Sequence, residues 1–498
     1  MTLKEALKHL DTLDTRTHLL QHALGVLELD GSTAAPKKSA RGRAETVGYL
    51  SGLYFDALTD PAVPEALETV LTEPAAAPND RRRAYLLRET RKSVALMPAE
   101  EYVGWQKTLS EADAVWHEAK LKSDFAMFAP YLERVIAYSR RVAELRDGSR
   151  PVYDVLLDSY EEGLTAESLE PFFALLRQEL TPLIREVGRR PAPRTDFLHA
   201  GYPVAGQRIF SDRLMALMGL DRDRCAIAET EHPFTTNFNI DDVRISTHYH
   251  EDDVSSSMFS VIHEGGHALY ELGVDPALDG TCLAGGASMA LHESQSRFYE
   301  NIIGRSRAFC GVLMPILREL FPTQTKGVTE EELYGAVNMA QPSLIRTEAD
   351  ELTYAMHIMI RYELEKRMIA GELPVKDIPG EWNRLYREYL GIEVPDDRRG
   401  CLQDSHWSTG LLGYFPTYAL GSAYGAQMLA HMREEFDPFA AVADGRLDRV
   451  TEWLRTHIHQ YGRTLPPREV LRNACGADFD PRYYVRYLTD KYTDLYHL

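Results

Sequence analysis

A mainly α-helical fold carrying one small β element is predicted by three features of the sequence. Apolar residues recur at helical spacing over most of the chain, with charged residues on the outer faces. One stretch, FTTNFNIDDVRISTHYHED (234–252), alternates instead around an Asn/Asp turn, which is the pattern of a β-hairpin. Most of the Pro and Gly falls between the helical runs, and no repeat or low-complexity tract interrupts them. The expected architecture is one folding unit split by a cleft, with the hairpin at the cleft wall.

In chain order, long amphipathic helices are expected over 1–30, 38–60, 82–120, 126–147 and 165–190. RRPAPRTDFLHAGYPVAG (189–206) is the clearest break. It separates an N-terminal helical region (about 1–190), lining or covering the cleft, from a central region (about 200–430) and C-terminal helices (431–498) of a single unit, 1–498. The hairpin opens the central region. Two helical segments follow, SVIHEGGHALYEL and SMALHESQSRFYENIIG (288–304), and helices continue from residue 305 to Leu498. GCLQDSHWSTGLLGYFPTYALGSAYGAQ (400–427) stands out because it begins without helical regularity.

The composition, 44% hydrophobic and 26% charged over 498 residues, is that of a globular protein with ample core. A formal charge of −20 disfavours nucleic acid and anionic membranes as partners. Five dispersed cysteines with no C-x-x-C pair argue against a disulfide framework or a thiolate metal site, and for a reducing compartment. The N-terminal residues MTLKEALKHLDTLDTRTHLL lack the apolar stretch of a secretory leader. No run of about 18 apolar residues is present to span a membrane. A cytoplasmic location is therefore expected. Phosphate-binding glycine loops and G-x-S-x-G are absent, so neither nucleotide nor serine-nucleophile chemistry has support.

His263-Glu264-Gly265-Gly266-His267 reads H-E-x-x-H. Residues four apart on a helix stand one turn above each other, so both imidazoles can reach one metal ion. Glu264 projects about 100° away, from where it can take a proton from a water on that metal. The alternative is a surface helix with solvated histidines. Val261, Ile262, Ala268, Leu269 and Leu272 favour a core helix instead. Asp252, Asp253 or the Ser255–Ser257 run offers its N-cap, and Gly273 its stop. Two glycines inside a helix cost about 1 kcal/mol each against Ala. Close approach of a substrate or a neighbouring strand is the expected compensation.

A catalytic zinc needs a third protein ligand and one open position. Glu271 lies a further turn along the same helix, too far from His263 to converge easily. His292 and Glu293 diverge by about 100° on the second helix, so one of them faces the metal. Glu293 completes the known His₂Glu set. His292 is then either a substrate contact or a hydrogen-bonded wall residue.

Other constellations remain open between chemistry and packing. His232 precedes Pro233 and so enters a strand extended. His248 and His250 share one side of a strand but lack further metal donors nearby. In SLIRTEADELTYAMHIMIRYELEK (343–366), a helix-forming run, Arg346 and Asp350 form either an intrahelical ion pair or a guanidinium presented to a substrate carboxylate. Gln403, Asp404, His406 and Trp407 suit a pocket lining, and Tyr414 and Tyr418 suit phenols aimed at an oxyanion. The whole segment suits an aromatic-packed connection equally well.

Several motifs together resemble the carboxypeptidase Taq family of zinc metallocarboxypeptidases. They are His232-Pro233-Phe234, Asp242-Val243-Arg244, His263-Glu264-Gly265-Gly266-His267, His292-Glu293-Ser294-Gln295, Ile345-Arg346-Thr347-Glu348-Ala349-Asp350 and Gly400-Cys401-Leu402-Gln403-Asp404-Ser405-His406-Trp407, in the family's order. PVYDVLLDSYEEGLT and WHEAKLKSDFAMFAPYL extend the likeness to nearly the whole chain. Two stretches depart from it. The family's D-x-R-x-T has Ser246 at its last position, and the first fifty residues match poorly.

The resemblance implies a helical fold with a deep active-site groove, distantly similar to neurolysin and angiotensin-converting enzyme. It implies release of single C-terminal residues from peptides with a free carboxylate, broad specificity and disfavoured proline. It also implies a homodimer with one Zn²⁺ per subunit, replaceable by Co²⁺. Carried over by position, His263, His267 and Glu293 are the metal ligands and Glu264 the general base. Arg346 is the carboxylate anchor. His232, His406 and Tyr418 would hold the scissile or terminal peptide unit, and Asp242 with Arg244 would narrow the groove.

Two rivals share these residues. One is a zinc oligoendopeptidase with the same site in a longer groove. The other is a non-catalytic binding protein with a degenerate metal site, against which stands a set of three ligands plus a base rather than four ligands.

Overall fold

The computed structural model describes residues 1–498, the side chain of residue 99 excepted. Helices account for most of it, as the periodicity predicts. The first, Leu3–Thr33, starts at a capping box in which Thr2 and Glu5 satisfy each other's backbone N–H groups. The run expected over 82–120 is two helices, Pro78–Ala95 and Ala99–Lys122. Pro98 divides them, because proline removes a helical donor and disfavours helix at the residue before it.

The predicted hairpin is present as β2 (Thr235–Asn239) antiparallel to β3 (Asp242–Thr247). It is shorter than expected: His248 and His250 lie beyond the end of β3, so they are not strand neighbours. A strand the periodicity did not reveal, β1 (Cys225–Glu229), pairs parallel to β3 and makes it the central strand in the order β1-β3-β2. Its sequence, CAIAE, is too short and too rich in Ala to announce a strand. Val243 and Ile245 point from β3 into the core.

One large apolar core links residues from Ala112 to Tyr496. A smaller core, from Ala6 to Leu87, holds the first helices to one another. These helices meet the hairpin where Phe238 packs 5.2 Å from the His22 ring.

The H-E-x-x-H sequence lies on the helix Val254–Leu272, capped by Asp253 and buried on most of its surface. The helix Met289–Arg297 packs against it and continues as a π-helical segment, Phe298–Gly304. A third helix, Pro416–Glu435, lies against Met289–Arg297. The close approach expected at the glycines is real, but its partner is a helix, neither substrate nor strand. A Cβ on Gly266 would stand 2.7 Å from the carbonyl oxygen of Gln295 and 2.8 Å from Ser296 Cα. Gly421, on the third helix, has the same role, lying 2.7 Å from Glu293 Cβ by the same construction. Glycines therefore let three helix backbones converge where the candidate ligands sit.

Candidate active site

His263, His267 and Glu293 come together, each offering one donor atom within 4.8 Å of the others, and no other such group occurs among the described residues. Glu293 Oε2 lies 3.7 Å from His263 Nε2 and 3.6 Å from His267 Nε2. Those spacings are too long for hydrogen bonds. They are short enough for all three atoms to touch one ion at about 2.0–2.2 Å. Two imidazoles and a carboxylate, with both Nε2 atoms free of closer partners, form a donor set that fits zinc.

The opposite edges of these three side chains are held. His263 Nδ1 lies 2.9 Å from Glu300 Oε2. Glu300 also accepts from Arg297 at 3.3 Å and from Arg305 at 3.0 Å. Burial alone would raise the Glu300 pKa, but Arg297, His263 and Arg305 outweigh it and hold the carboxyl well below its ordinary range. Arg297 Nε donates to Glu293 Oε1 at 2.7 Å, which turns Oε2 toward the histidines. His267 Nδ1 faces His292 Nδ1 at 2.5 Å, and His292 Nε2 faces Glu271 Oε1 at 2.6 Å. Glu271 accepts in turn from Asn237 Nδ2 and Gly286 N. The tautomer of His292 with its proton on Nε2 would satisfy this chain and leave His267 Nε2 free to face an ion.

Glu264 stands beside the group without joining it. Its Oε2 lies 2.6 Å from the Thr235 hydroxyl, which ties the H-E-x-x-H helix to β2. Burial raises its pKa, against the opposing pull of His263 and Thr235.

A second cluster gathers the other motifs. Arg346 and Asp350 do not share a helix turn. Arg346 lies on a 3₁₀ turn, Arg346–Glu348, and Asp350 caps the helix Glu351–Ala370 through Leu352 N and Thr353 N. The intrahelical pair is thereby excluded, because a capping residue's side chain is turned onto its own helix end. Arg346 is instead 7% exposed, donating to Asp404 Oδ1 at 2.8 Å and to the Tyr354 hydroxyl at 3.1 Å. The other oxygen of Asp404 accepts from fully buried Arg361. Burial opposes the charge on Arg346, but Tyr354 and Asp404 prevail and raise its pKa.

The Tyr418 ring lies 5.1 Å from the Arg346 guanidinium, and its hydroxyl 3.2 Å from His406 Nε2. Burial lowers the His406 pKa to about 4 and raises that of Tyr418, so both stay neutral. His406 Nδ1 is buried without a partner. Arg297 bridges the two clusters: it holds Glu293 and stacks over Tyr354 at 4.4 Å.

The remaining candidates lie apart. Arg244 makes a two-bond pair with Asp242, at 2.7 and 2.8 Å, and stacks on Phe238 where the hairpin meets the first helix. Ser246, at the departing position, is buried and accepts from the Thr230 hydroxyl and Phe234 N, so it holds the turn before β2. His232 is exposed, and among the described residues no hydrogen bond ties its ring to either cluster.

Sequence reasoning missed Glu300, Arg297, Arg361 and Thr235. Glu300 was within reach: it follows Glu293 by seven residues, two helical turns on the same face. Arg361 and Thr235 act across the fold, and no local spacing signals them.

Comparison with known proteins shows the family. Residues 9–492 match the family model described as carboxypeptidase Taq (M32) metallopeptidase. Carboxypeptidase 1 of Bacillus subtilis is 38% identical over 479 residues, 96% of each chain. Thermostable carboxypeptidase 1 of Thermus thermophilus is 37% identical over the full length of both. The crystal structure of the M32 carboxypeptidase from Deinococcus radiodurans R1 superposes with a TM-score of 0.94 at 36% identity, covering 99% of each chain. With the family matched along almost its whole length, this chain belongs to the carboxypeptidase Taq (M32) metallopeptidases.

Proposed function

We propose that this metallocarboxypeptidase uses one zinc ion, held by His263, His267 and Glu293, to release single residues from the C-terminus of peptides. The observation that carries the reading is the juxtaposition, through Arg297, of a three-donor group and a buried, charged Arg346. Zinc bound there supplies polarisation of the scissile carbonyl and a lowered pKa for water. Cobalt, with similar ligand preferences, substitutes for it.

The protein's own groups do the rest. Glu264 accepts the proton of the attacking water and returns it to the leaving amine. Thr235 orients that carboxylate. Arg346, steadied by Asp404, takes the terminal carboxylate and sets the register, so that only the last peptide bond reaches Glu264. His406 donates from Nε2 to the Tyr418 oxygen, leaving the phenol proton to stabilise the oxyanion. His292 holds His267 rather than substrate. The Asp242–Arg244 pair narrows the groove, and His232 contacts the peptide at its rim. A site that reads a terminal carboxylate more than a side chain has broad specificity. It disfavours proline, whose ring removes the N–H and fixes the backbone. We take residues 1–498 as one peptidase unit. It works as a homodimer in the cytoplasm, where its five free cysteines stay reduced. Among the described residues, no helix is long and apolar enough to cross a membrane.

The test is a mass-spectrometric time course on one peptide as free acid and as C-terminal amide, with zinc-loaded protein. A ladder losing one residue at a time from the acid alone is expected. Internal cuts in both would replace this reading with an oligoendopeptidase, and no cleavage would replace it with a binding protein.

A further inference from the structure

Beyond His267, the cleft wall carries a charged side chain with no partner. Arg463 follows the 3₁₀ turn His459–Tyr461 and Gly462, whose φ of 48° and contact with the Leu283 carbonyl leave no room for a Cβ. Its backbone is pinned on both sides: its N–H donates to Leu283 O at 2.8 Å, and its carbonyl accepts from Arg82 Nε at 2.9 Å. The guanidinium, by contrast, has no hydrogen-bond or ion-pair partner among the described residues. It is half-buried, and burial lowers its pKa.

Arg463 lines two adjoining cavities. One, of about 690 Å³, reaches His292 and Met289, and the other, of about 320 Å³, reaches Glu271 and Asn237. The other charges on the larger wall are engaged. Glu89 pairs with Lys92 and Arg146, Asp158 with Arg150, and Glu162 with Arg82. In the smaller cavity, Glu271 is taken by His292, Asn237 and Gly286. Among the described residues, these two cavities therefore present one cation without a hydrogen-bond or ion-pair partner, on a pinned loop, in a chain whose formal charge is −20.

Its place relative to the metal group decides what it meets. Arg346 lies on the flank of Glu293 and Arg297, whereas Arg463 lies toward Glu271, eight residues along the helix from His263. Eight residues of helix rise about 12 Å, or roughly three to four residues of extended peptide. A desolvated guanidinium is best satisfied by a carboxylate, which can accept two of its hydrogens.

We propose that Arg463 is a specificity residue that takes the side-chain carboxylate of an Asp or Glu two to four residues upstream of the scissile bond, making acidic peptides the favoured substrates. The inference rests on the carboxypeptidase reading, with Arg346 holding the C-terminus.

The test pairs peptides that share a C-terminal residue and differ only by Glu or Gln at each of those upstream positions. It reads kcat/KM on zinc-loaded protein, and binding of the same fluorescent peptides to Glu264→Gln protein by anisotropy. At one position the Glu peptide is expected to lead by about tenfold in both readouts, the size of a charged hydrogen bond. The lead should fall to near one in Arg463→Gln, partly return in Arg463→Lys and reverse toward a Lys peptide in Arg463→Glu. A wild-type ratio near one at every position overturns the proposal. So does a lead that survives in Arg463→Gln while both peptides slow equally, since that is a structural role. Release of the C-terminal residue from both peptides at equal rates sinks the Arg463 proposal alone. Absence of any release sinks the carboxypeptidase reading, and the inference with it.

Discussion

Gly266→Ala tests whether the metal group is positioned by backbone contact between helices. The added Cβ would meet backbone atoms at 2.7 and 2.8 Å, where ordinary contact begins at 3.4 Å. Backbone cannot rotate away, so the H-E-x-x-H helix and the Glu293 helix must separate by about 0.7 Å, the difference between those distances. Metal–ligand distances tolerate only about 0.2 Å. Alanine favours the helix by about 1 kcal/mol, but overpacking costs about 1–3 kcal/mol, so a net loss of about 1 kcal/mol is expected.

The larger effect should fall on zinc, with affinity weakened at least about tenfold, as when the supports of metal ligands are disturbed. Gly265→Ala is the control. Its Cβ would meet the Met218 thioether and methyl at 2.7–2.8 Å, the end of a flexible side chain that can swing aside. Chelator competition gives the zinc affinity, and urea unfolding of the metal-free proteins gives the stability. Unchanged zinc affinity in Gly266→Ala, or a greater loss in Gly265→Ala, would refute the reasoning.

Glu264→Gln should bind zinc as the wild type does and lose most of its turnover, and near-normal rates would contradict its role as base. Glu300→Gln leaves Arg297 and Arg305 facing a neutral amide and weakens the acceptor for His263. Zinc affinity should drop about 10–100-fold, measured by the same competition. Arg346→Gln should remove discrimination between a free-acid peptide and its amide, so a ratio of kcat/KM values that stays high would place the carboxylate anchor elsewhere. Stability should fall in mild acid through His459, which is fully buried and whose pKa burial lowers to about 3. The unfolded imidazole takes its proton near pH 6.5 and the folded one does not, so each unit below that costs about 1.4 kcal/mol until the folded pKa is reached. His459→Gln should flatten the fall in urea midpoint between pH 7 and pH 5, and an unchanged slope would exclude His459 as its source.

The parts of this site that obey a local period were legible in the sequence. His263 and His267 are one turn apart, the hairpin alternates, and Glu293 is the first acidic residue of the next helical segment. What escaped depends on which backbones meet. Glycines at 265 and 266 announce a close approach but not its partner, because an absent Cβ carries no address. Arg346 looked helical because its neighbours favour helix, yet Asp350 has a stronger alternative in capping Leu352 and Thr353. His292 read equally well as a substrate contact, since its link to His267 spans two helices and appears only when they are packed. Asp404 between Arg346 and Arg361 is likewise a meeting of three segments whose separations in the chain say nothing of their contact.

The π-helical segment Phe298–Gly304 has a consequence for how this protein can vary. A π turn closes its hydrogen bonds one residue later than an α turn, so it holds an insertion within a continuous helix. Removing any one residue between 298 and 304 would let the ladder relax to the ordinary form. Residues past the turn would keep their facing, because the wide turn is what absorbs the extra residue, but those inside it and beyond the deletion would rotate by about 100° relative to Glu293. A deletion before Glu300 would therefore swing that residue off His263 and away from Arg305. All seven residues of this stretch are buried, so it has no outer side on which substitutions are free, and its residue count cannot change either. Length, as much as composition, is the inherited constraint here.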